Sequence, residues 1–508
     1  MKSSKGNDTQ QKIGYLIRDL REKRGFTQES FAKELGTSQS AVARMEAGGQ
    51  NFSTKELLKI SRILNRKIVT ISESLDFEIK GGRKLSGSIT TNFSKNGSVV
   101  LLCAALLNRN KTTLRGISRI EEVNRLIEIM ESIGVGIRWV GQNSVEISPP
   151  DKLLLDNLDR EAAQKVRSSL MFIGPLIHRE KKFQLPHAGG CKMGNRTIAA
   201  HRYGLEEMGV KIATKSDYYS VSANKLKPAD IVMYEAGDTA ANNILMAAAL
   251  IPGVTVIRFA PPNYQVQELC FFLEKMGVKI EGIGTTDLTV HGIGGFNKPI
   301  EYSNSEDPIE SMMFISAAVT TGSKLSIKRC PIDFLSVELI KLEKMGLIFT
   351  VSKKYKSYNG RTNLVDITVL PSELKALPDK IHALPYPGIN SDNLPFFVPI
   401  ATQAEGVTLI HDWMWENRAV YFTELNRLGA QVTLADPHRV FITGKTKLKG
   451  SQVVCPPALR PAMIILIAML AAEGKSILRN VYSINRGYEE VAARLNSLGA
   501  DIKVLGGI

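Results

Sequence analysis

The sequence ILMAAALIPGVTVIRF, residues 244–259, joins an apolar, alanine-rich segment to a proline–glycine turn and a segment rich in β-branched residues. The first part is apolar on all sides, as a buried helix is, and the last part has the composition of a strand. The same order recurs in residues 101–116, 313–328, 397–412 and 466–481, with a divergent copy in residues 166–190. From residue 80 onward the sequence therefore predicts repeated α/β units.

Each unit continues into an amphipathic helix, a glycine and a closing strand. Six closing glycines stand 68 to 83 residues apart: Gly134, Gly209, Gly277, Gly346, Gly429 and Gly499. Six buried helices predict two globular lobes of three repeats, each enclosing its helices within sheet. A solenoid is the alternative, but it would need uniform surface helices and polar end caps, and the sequence has neither.

The composition of the 508 residues, 44% hydrophobic and 23% charged, is that of a globular protein and excludes wholesale disorder. The longest uncharged apolar run, residues 462–472, is well short of the ~20 residues that span a bilayer. The N-terminus lacks the apolar core of a signal peptide, so we expect a cytoplasmic protein with no membrane partner. Five cysteines without a Cys-x-x-Cys pair indicate no disulfide framework and no metal site, and no cofactor is expected.

The net charge of +15 lies mostly in the repeats. Residues 1–78 contain 14 Lys and Arg against 10 Asp and Glu, so +11 belongs to the remainder of the chain. Such a field favours anionic ligands, either nucleic acid or phosphorylated metabolites.

Residues 10–72 predict a separate module of short helices. Thr27 is a plausible N-cap of one helix and Gly36 ends it, and Thr37 or Ser38 caps the next. Two short helices joined by a glycine-containing turn form a helix-turn-helix, whose second helix can enter a DNA major groove.

Residues 21–48, REKRGFTQESFAKELGTSQSAVARMEAG, resemble the Cro/C1-type (XRE-like) helix-turn-helix. The resemblance implies that Gln28 contacts phosphate and that Gln39, Ser40 and Arg44 face the bases. Gln and Arg have bidentate geometry for adenine and guanine edges. A homodimer would suit the two-fold symmetry of such operators. The alternative is a small helical module for dimerisation or protein contact.

Six repeats in two lobes resemble the enolpyruvyl transferase fold, a two-lobed inside-out α/β barrel. In that fold the chain begins in one lobe, builds the other and returns. The resemblance therefore places residues 80–94 and 306–508 in one lobe and 95–305 in the second, with the active site between them. Within the family it points to the branch that moves the 1-carboxyvinyl group of phosphoenolpyruvate to the 3-hydroxyl of UDP-N-acetylglucosamine, opening peptidoglycan precursor synthesis.

Cys191 stands apart from the other cysteines because its loop, residues 188–196, is rich in glycine and basic residues. Lys192 and Arg196 would favour the thiolate or tune the thiol for proton transfer. The family carries its catalytic cysteine in a GGCxxGxR loop, which this segment matches, so the resemblance implies that Cys191 is the proton donor. A bystander cysteine on a loop is the alternative.

Phosphoenolpyruvate carries a phosphate and a carboxylate, so its site needs several cations, ideally arginines. At positions that match the family, the resemblance implies substrate contacts from Lys95, Asn96, Arg167, Arg196, Arg418, Arg460 and Arg486. In this scheme Lys95, Arg196 and Arg486 hold the phosphate. Arg418 and Arg460 stabilise charge around the carboxylate, and we count Arg460 among the catalytic residues.

A base must take the proton of the attacking hydroxyl. Asp392, in the segment GINSD, matches the cleft aspartate of the family and is the candidate base. Asp307 matches a second acid near the hinge between the lobes. An acid stabilised at a helix N-terminus is an equal alternative for Asp307.

Three positions depart from the family pattern. Ala199 and Ala458 stand where the family has acids, and Tyr234 stands where a basic residue faces the nucleotide phosphates. These changes leave room for a different UDP-sugar acceptor, a slow enzyme, or a transcriptional regulator that only senses a metabolite. A shikimate-pathway transferase is disfavoured because that branch lacks the cysteine loop.

Overall fold

The computed structural model describes residues 4–49, 52, 54–64, 75–189 and 197–506. The chain divides into two compact units, and the second of them comprises residues Asp76–Leu505. Within the described residues, the first unit contains the helices α1 (Ser4–Lys23), α2 (Gln28–Leu35), α3 (Gln39–Glu46) and α4 (Thr54–Ile63). None of the helices in the described part of the chain combines the length and hydrophobicity that crossing a membrane requires.

The helix ends of the first unit confirm the predicted caps. The side chain of Thr27 accepts a hydrogen bond from the backbone N of Ser30 at 3.1 Å, and Gly36 ends α2. Ser38, rather than Thr37, caps α3 by accepting from the backbone N of Ala41. These caps satisfy backbone N–H groups that the first turn of a helix leaves without partners.

The first unit has its own apolar core, which includes Ile17, Phe31, Val42 and Ile60. An ion pair lies beside this core: the guanidinium of Arg21 donates to both carboxylate oxygens of Glu46. Both side chains are less than a tenth exposed. The pair joins α1 to the end of α3 and so holds the helix that would read DNA.

We expect Glu46→Ala to destabilise the first unit by about 3–5 kcal/mol, because it removes the buried carboxylate that balances the charge of Arg21 and leaves only the exposed Glu22 beside it. Glu22→Ala is a matched control, since Glu22 contacts the same arginine from an exposed position, where water screens the ion pair and its loss should leave the stability nearly unchanged. Amide hydrogen exchange of α1 and α3 in the full-length chain measures both. Equal protection in the two variants would contradict the prediction.

The second unit alternates helices with strands. Its helices are α5 (Lys95–Ala104), α6 (Glu121–Ser132), α7 (Arg160–Lys165), α8 (Ile173–Leu176), α9 (Ala199–Glu207), α10 (Asp238–Ala249), α11 (Tyr264–Lys275), α12 (Pro308–Thr320), α13 (Ser336–Lys344), α14 (Phe397–Ala401), α15 (Leu459–Ala471), α16 (Tyr482–Asn485) and α17 (Val491–Asn496). Its 3₁₀ segments are Ala105–Leu107, Leu155–Asn157, Arg167–Phe172, Ile332–Phe334, Leu394–Phe396 and Ala419–Leu428.

The strands of the second unit are β1 (Asp76–Gly81), β2 (Ser88–Thr90), β3 (Thr112–Arg115), β4 (Gly136–Trp139), β5 (Ser144–Ser148), β6 (Lys182–Pro186), β7 (Lys211–Thr214), β8 (Tyr218–Ser222), β9 (Asp230–Val232), β10 (Gly253–Arg258), β11 (Lys279–Glu281), β12 (Asp287–Gly292), β13 (Ile300–Ser303), β14 (Leu325–Pro331), β15 (Phe349–Val351), β16 (Tyr355–Lys356), β17 (Asn363–Val369), β18 (Leu374–Lys375), β19 (Ile381–His382), β20 (Ala404–His411), β21 (Gln431–Asp436), β22 (Arg439–Gly444), β23 (Gln452–Val454), β24 (Gly474–Arg479) and β25 (Ile502–Leu505). Among the described residues they form six sheets. Three have the orders β13-β3-β5-β4, β6-β8-β7 and β11-β12-β10-β9. The other three have the orders β23-β24-β1-β25, β15-β17-β14-β2 with β16 on β17, and β18-β20-β22-β21 with β19 on β20.

The predicted order of apolar helix and strand occurs in every repeat. The residues quoted first, 244–259, end α10 and form β10, and every residue of α10 from Ala240 to Ala249 is buried. All six closing glycines have a positive φ, between 81° and 101°. Only glycine adopts this conformation without steric cost, which is why the residue recurs at the end of each repeat.

Two parallel strand pairings mark where the chain passes from the last three of these sheets to the first three and back. Strand β2 precedes α5 but pairs with β14, whereas β13 precedes α12 but pairs with β3. One continuous apolar core includes buried side chains from Val99 to Tyr302. The first two strands of the second unit, β1 and β2, therefore share sheets with the late strands β14, β24 and β25. The chain between Val99 and Tyr302 has a core of its own.

Candidate active site

A cleft of about 590 Å³ lies in the second unit and is lined by two separate parts of the chain. One wall comes from residues 96–265 and the other from residues 385–416. Asn96, Arg167 and Asp392 all line it. The structure thus brings together three predicted site residues that lie far apart in the sequence.

A second, very small cavity of about 10 Å³ is lined by Lys95, Asp307 and Arg460. This cavity adjoins the cleft at the start of α5, because Lys95 lines the cavity and the next residue, Asn96, lines the cleft. Arg460 also contacts Asp392 directly. Lys95, Asp307, Arg460 and Asp392 therefore lie in one cluster of charged groups rather than as separate surface residues.

The carboxylate of Asp392 is held by Arg460, which lies in the first turn of α15. Nη2 of Arg460 donates to Oδ2 of Asp392 at 2.9 Å, and Nη1 donates to the hydroxyl of Tyr488 at 2.6 Å. Burial acts to raise the pKa of Asp392, but Arg460, with Arg418 and Lys95, holds this pKa below its ordinary value. With 26% of its side chain exposed, Asp392 is an ionised acceptor that a ligand in the cleft can reach.

Arg418 is fully buried and supports the Asp392 loop from behind. Its guanidinium donates to both carboxylate oxygens of Asp412 and, at 2.7 Å, to the backbone O of Ser391. Its Nη1 lies 4.0 Å from Oδ1 of Asp392. The prediction that Arg418 contacts substrate stays a prediction, because its contacts in the structure are those of a loop support.

Lys95 is paired with an acid that the sequence did not single out. Its Nζ lies 2.7 Å from Oε2 of Glu122, and it also donates to Oδ1 of Asn96 at 3.2 Å. Burial acts to raise the pKa of Glu122, but Lys95 and Arg486 together lower it. The carboxylate of Glu122 therefore pairs with Lys95 and also feels the charge of Arg486, so two predicted phosphate-binding cations act on it.

Asp307 is the N-cap of α12, as the alternative interpretation expected. Its Oδ1 accepts from the backbone N of Ile309 at 2.8 Å, and its Oδ2 accepts from the backbone N of Lys95 at 3.0 Å. Burial raises the pKa of Asp307. Asp307 thus fixes the start of α5, where Lys95 and Asn96 lie, and its contact with substrate stays a prediction.

Cys191 and Arg196 lie outside the described residues. Close to this loop, Nη2 of Arg167 donates to the backbone O of Thr197 at 2.9 Å. The four described cysteines are all buried, and burial raises the pKa of Cys330 and Cys455 to about 12 and those of Cys103 and Cys270 further. Buried neutral thiols react poorly, which separates these four from a thiol on a basic loop.

The three departures from the family pattern place no charge in the cleft. Ala199 begins α9, and Ala458 is a buried N-cap of α15 without a capping side chain. Tyr234 is 62% exposed and packs edge-on against Tyr203 at 5.0 Å. The cleft wall next to Tyr234 is acidic instead, since Glu235 and Asp238 line it.

Sequence reasoning missed several residues of this cluster. Glu122 and Asp238 each stand in the first turn of a helix, a common place for an acid, so neither carried a signal. Tyr488 lies two residues after Arg486, and that proximity was the available clue.

In the helix-turn-helix, three of the predicted DNA-contacting residues are exposed on α3: Gln39, Ser40 and Arg44. The half-buried Gln28 donates from Nε2 to Oε2 of Glu46 at 2.9 Å and accepts from Nε2 of Gln39 at 3.2 Å. These contacts join α2 to both ends of α3 and leave the residues predicted to contact bases at the surface.

Two family models match the chain. Residues 79–495 match the model described as EPSP synthase (3-phosphoshikimate 1-carboxyvinyltransferase), and residues 17–71 match a helix-turn-helix model. The UDP-N-acetylglucosamine 1-carboxyvinyltransferase of Bradyrhizobium diazoefficiens is 34% identical over 437 residues, 84% of this chain and 98% of that protein. The protein of the same name from Treponema denticola is 34% identical over 429 residues, 84% of this chain and 99% of its own length.

Solved structures support the same fold. The enolpyruvyl transferase NikO from Streptomyces tendae aligns with a TM-score of 0.72 at 24% identity, over 86% of this chain and all of that one. An EPSP synthase from Acinetobacter baumannii aligns with a TM-score of 0.66 at 20% identity, over 85% of this chain and all of its own. At these identities the likeness is one of fold.

Proposed function

Because the chain belongs to the EPSP synthase family of enolpyruvyl transferases, we propose that its second unit moves the 1-carboxyvinyl group of phosphoenolpyruvate to the 3-hydroxyl of UDP-N-acetylglucosamine or a related UDP-sugar. Phosphate is released. The observation that carries the proposal is the ionised Asp392, fixed by Arg460 in a cleft that also contains Asn96 and adjoins Lys95. We place this reaction in the cytoplasm, at the entry to peptidoglycan precursor synthesis.

The proposed reaction has an addition and an elimination step. Asp392 accepts the proton of the 3-hydroxyl of the sugar while the oxygen of that hydroxyl forms a bond to carbon 2 of phosphoenolpyruvate. Cys191 gives a proton to carbon 3. Carbon 3 then gives a proton back to the Cys191 thiolate as the bond from carbon 2 to the phosphate oxygen breaks, and the leaving phosphate takes the proton that Asp392 accepted. The products are the enol ether and phosphate. Lys95, Arg196 and Arg486 balance the charge of the phosphate, and Arg460 that of the carboxylate.

The finer architecture is part of this proposal. We place one lobe at residues 80–94 and 306–508, the other at residues 95–305, and the cleft between them in an inside-out barrel. The crossed pairings of β2 with β14 and of β3 with β13, and the separate core from Val99 to Tyr302, support these boundaries.

Phosphate release from phosphoenolpyruvate in the presence of UDP-N-acetylglucosamine tests the proposal. Other UDP-sugars and nucleotides belong in the same assay, because Ala199 removes an acid that reads the uridine in the family. The second candidate function is a sensor, which the alanines at positions 199 and 458 favour. Binding of phosphoenolpyruvate or a UDP-sugar without release of phosphate from any acceptor would support the sensor and overturn the enzyme.

The fused helix-turn-helix binds DNA in this proposal, with a homodimer on a two-fold operator. We expect Gln39→Ala and Arg44→Ala each to weaken specific binding by ~1–3 kcal/mol, the value of a bidentate base contact. Arg18→Ala is the control, since it removes one exposed charge from α1. Mobility shifts on the protein's own promoter measure the effect, and affinity should fall steeply with salt. A full-length chain that shifts no promoter DNA would contradict DNA binding.

A further inference from the structure

A continuous chain of hydrogen bonds runs through four residues that line the cleft: Asp238, Asn263, Asn390 and Asp392. The chain ends at the backbone N of Asp392. Asn263 donates from Nδ2 to Oδ2 of Asp238 at 2.9 Å, and Asn390 donates from Nδ2 to Oδ1 of Asn263 at 3.3 Å. Oδ1 of Asn390 accepts from the backbone N of Asp392 at 2.9 Å. We infer that this chain, the amide relay, positions Asp392 as the base, a role that rests on the proposed function.

Asp238 sets the direction of the relay. An ionised carboxylate only accepts hydrogen bonds, so the amide nitrogen of Asn263 faces Asp238 and its oxygen faces Asn390. Because the oxygen of Asn263 can only accept a hydrogen bond, the nitrogen of Asn390 faces it. The oxygen of Asn390 is then left to accept from the N–H of Asp392. Gln265 donates to the same oxygen of Asp238 and holds it in place. Burial raises the pKa of Asp238 to about 6, while the hydrogen bonds from Asn263 and Gln265 favour its ionised form.

The relay joins the two walls of the cleft. Asp238 begins α10 and Asn263 caps α11, two helices that contribute to the apolar core between Val99 and Tyr302. Asn390 belongs to the other wall, where its backbone N donates to Oε1 of Glu338 on α13 at 3.2 Å. The hydrogen bond between Asn263 and Asn390 therefore joins the two walls next to Asp392. A change in the distance between the walls would move the backbone of the proposed base.

The relay supplies a contact that the arginines do not. Arg460 holds the carboxylate of Asp392 and Arg418 holds the backbone O of Ser391. The relay holds the backbone N of Asp392, so the short loop is fixed at three points. Since small displacements of a reacting group from its working geometry cost rate, loss of one point should lower kcat without removing the carboxylate.

Alanine substitutions at positions 263 and 390 test this inference. Asn263→Ala and Asn390→Ala are each expected to lower kcat on the order of 10–100-fold, with KM for phosphoenolpyruvate unchanged within about twofold. Because the two residues act in series, the double variant should lose no more than the larger single loss. Asn297→Ala is the matched control, since its Oδ1 accepts from Asn110 at the same 3.3 Å on an exposed surface, and it should leave kcat unchanged.

Asn390→Ser gives a second route if an alanine variant folds poorly. A serine can still accept from the N–H of Asp392 but is too short to reach Asn263, so it breaks only the link between the walls. The kcat of Asn390→Ser should therefore fall by about as much as the kcat of Asn263→Ala. A kcat equal to wild type would overturn the inference.

A readout without substrate separates the relay from the proposed function. The urea midpoints of unfolding of the two alanine variants and their double should combine non-additively, as they do for residues in contact. Midpoint shifts that add, or kcat losses that multiply, would overturn the relay. A wild-type chain that releases no phosphate would overturn the proposed function instead, and the unfolding cycle would still decide whether the relay links the walls.

Discussion

Cys191→Ser is expected to lose roughly 10²–10⁴-fold in kcat while the chain stays folded, the usual effect of removing a positioned acid. A serine hydroxyl holds its proton far too tightly to give it to carbon 3 of phosphoenolpyruvate. Phosphate release measures the loss, and circular dichroism confirms the fold. Cys455→Ser is the control, because Cys455 is buried with a raised pKa and has no part in the proposed reaction. Equal losses in both variants would count against a special role for Cys191.

Alkylation of the same thiol gives an independent measurement. The epoxide fosfomycin should modify Cys191 alone, since the four other thiols are buried and largely protonated. Peptide mapping of the treated protein locates the adduct. Modification spread over several cysteines, or none at all, would contradict the prediction.

Asp392→Asn is the second large effect, with kcat lowered by roughly 10²–10⁴-fold and the affinity for phosphoenolpyruvate nearly intact. An asparagine keeps the shape of the side chain but cannot take the proton of the acceptor hydroxyl. Asp379→Asn is the matched control, since Asp379 is exposed and pairs only with Lys341 among the contacts of the described residues. A sensor would have no turnover to lose, and Asp392→Asn would then change ligand affinity alone.

The pH dependence of the reaction follows from the same carboxylate. Arg460 and its neighbours lower the pKa of Asp392 in the folded chain, so the base stays ionised down to a pH below the ordinary range of aspartate. The acid limb of kcat/KM from this group should therefore lie at a lower pH than an ordinary aspartate would give. The ion pair also stabilises the fold above the unfolded pKa of aspartate, and this stability is lost as the pH falls through the lowered value.

Much of the fold could be predicted from local sequence patterns. The alanine-rich helices are apolar on every side, and the structure buries α10, α12 and α15 accordingly. The closing glycines and the Thr27 cap are likewise local signals, because they depend on the conformation of one or two residues. The family motifs supplied the candidate site residues, and the described ones at the cleft, Asn96, Arg167 and Asp392, meet there.

The partners of those residues could not be predicted in this way. The sequence by itself determined the repeats, the helix-turn-helix and the segments that carry the chemistry, since each is encoded in the spacing of near neighbours. Only the tertiary structure decided that Arg418 is buried behind Asp392, that Lys95 meets Glu122, and that Asn263 reaches Asn390, 127 residues away. Such contacts depend on how the walls of a cleft pack together, and an isolated asparagine or glutamate has no local pattern that announces its distant partner.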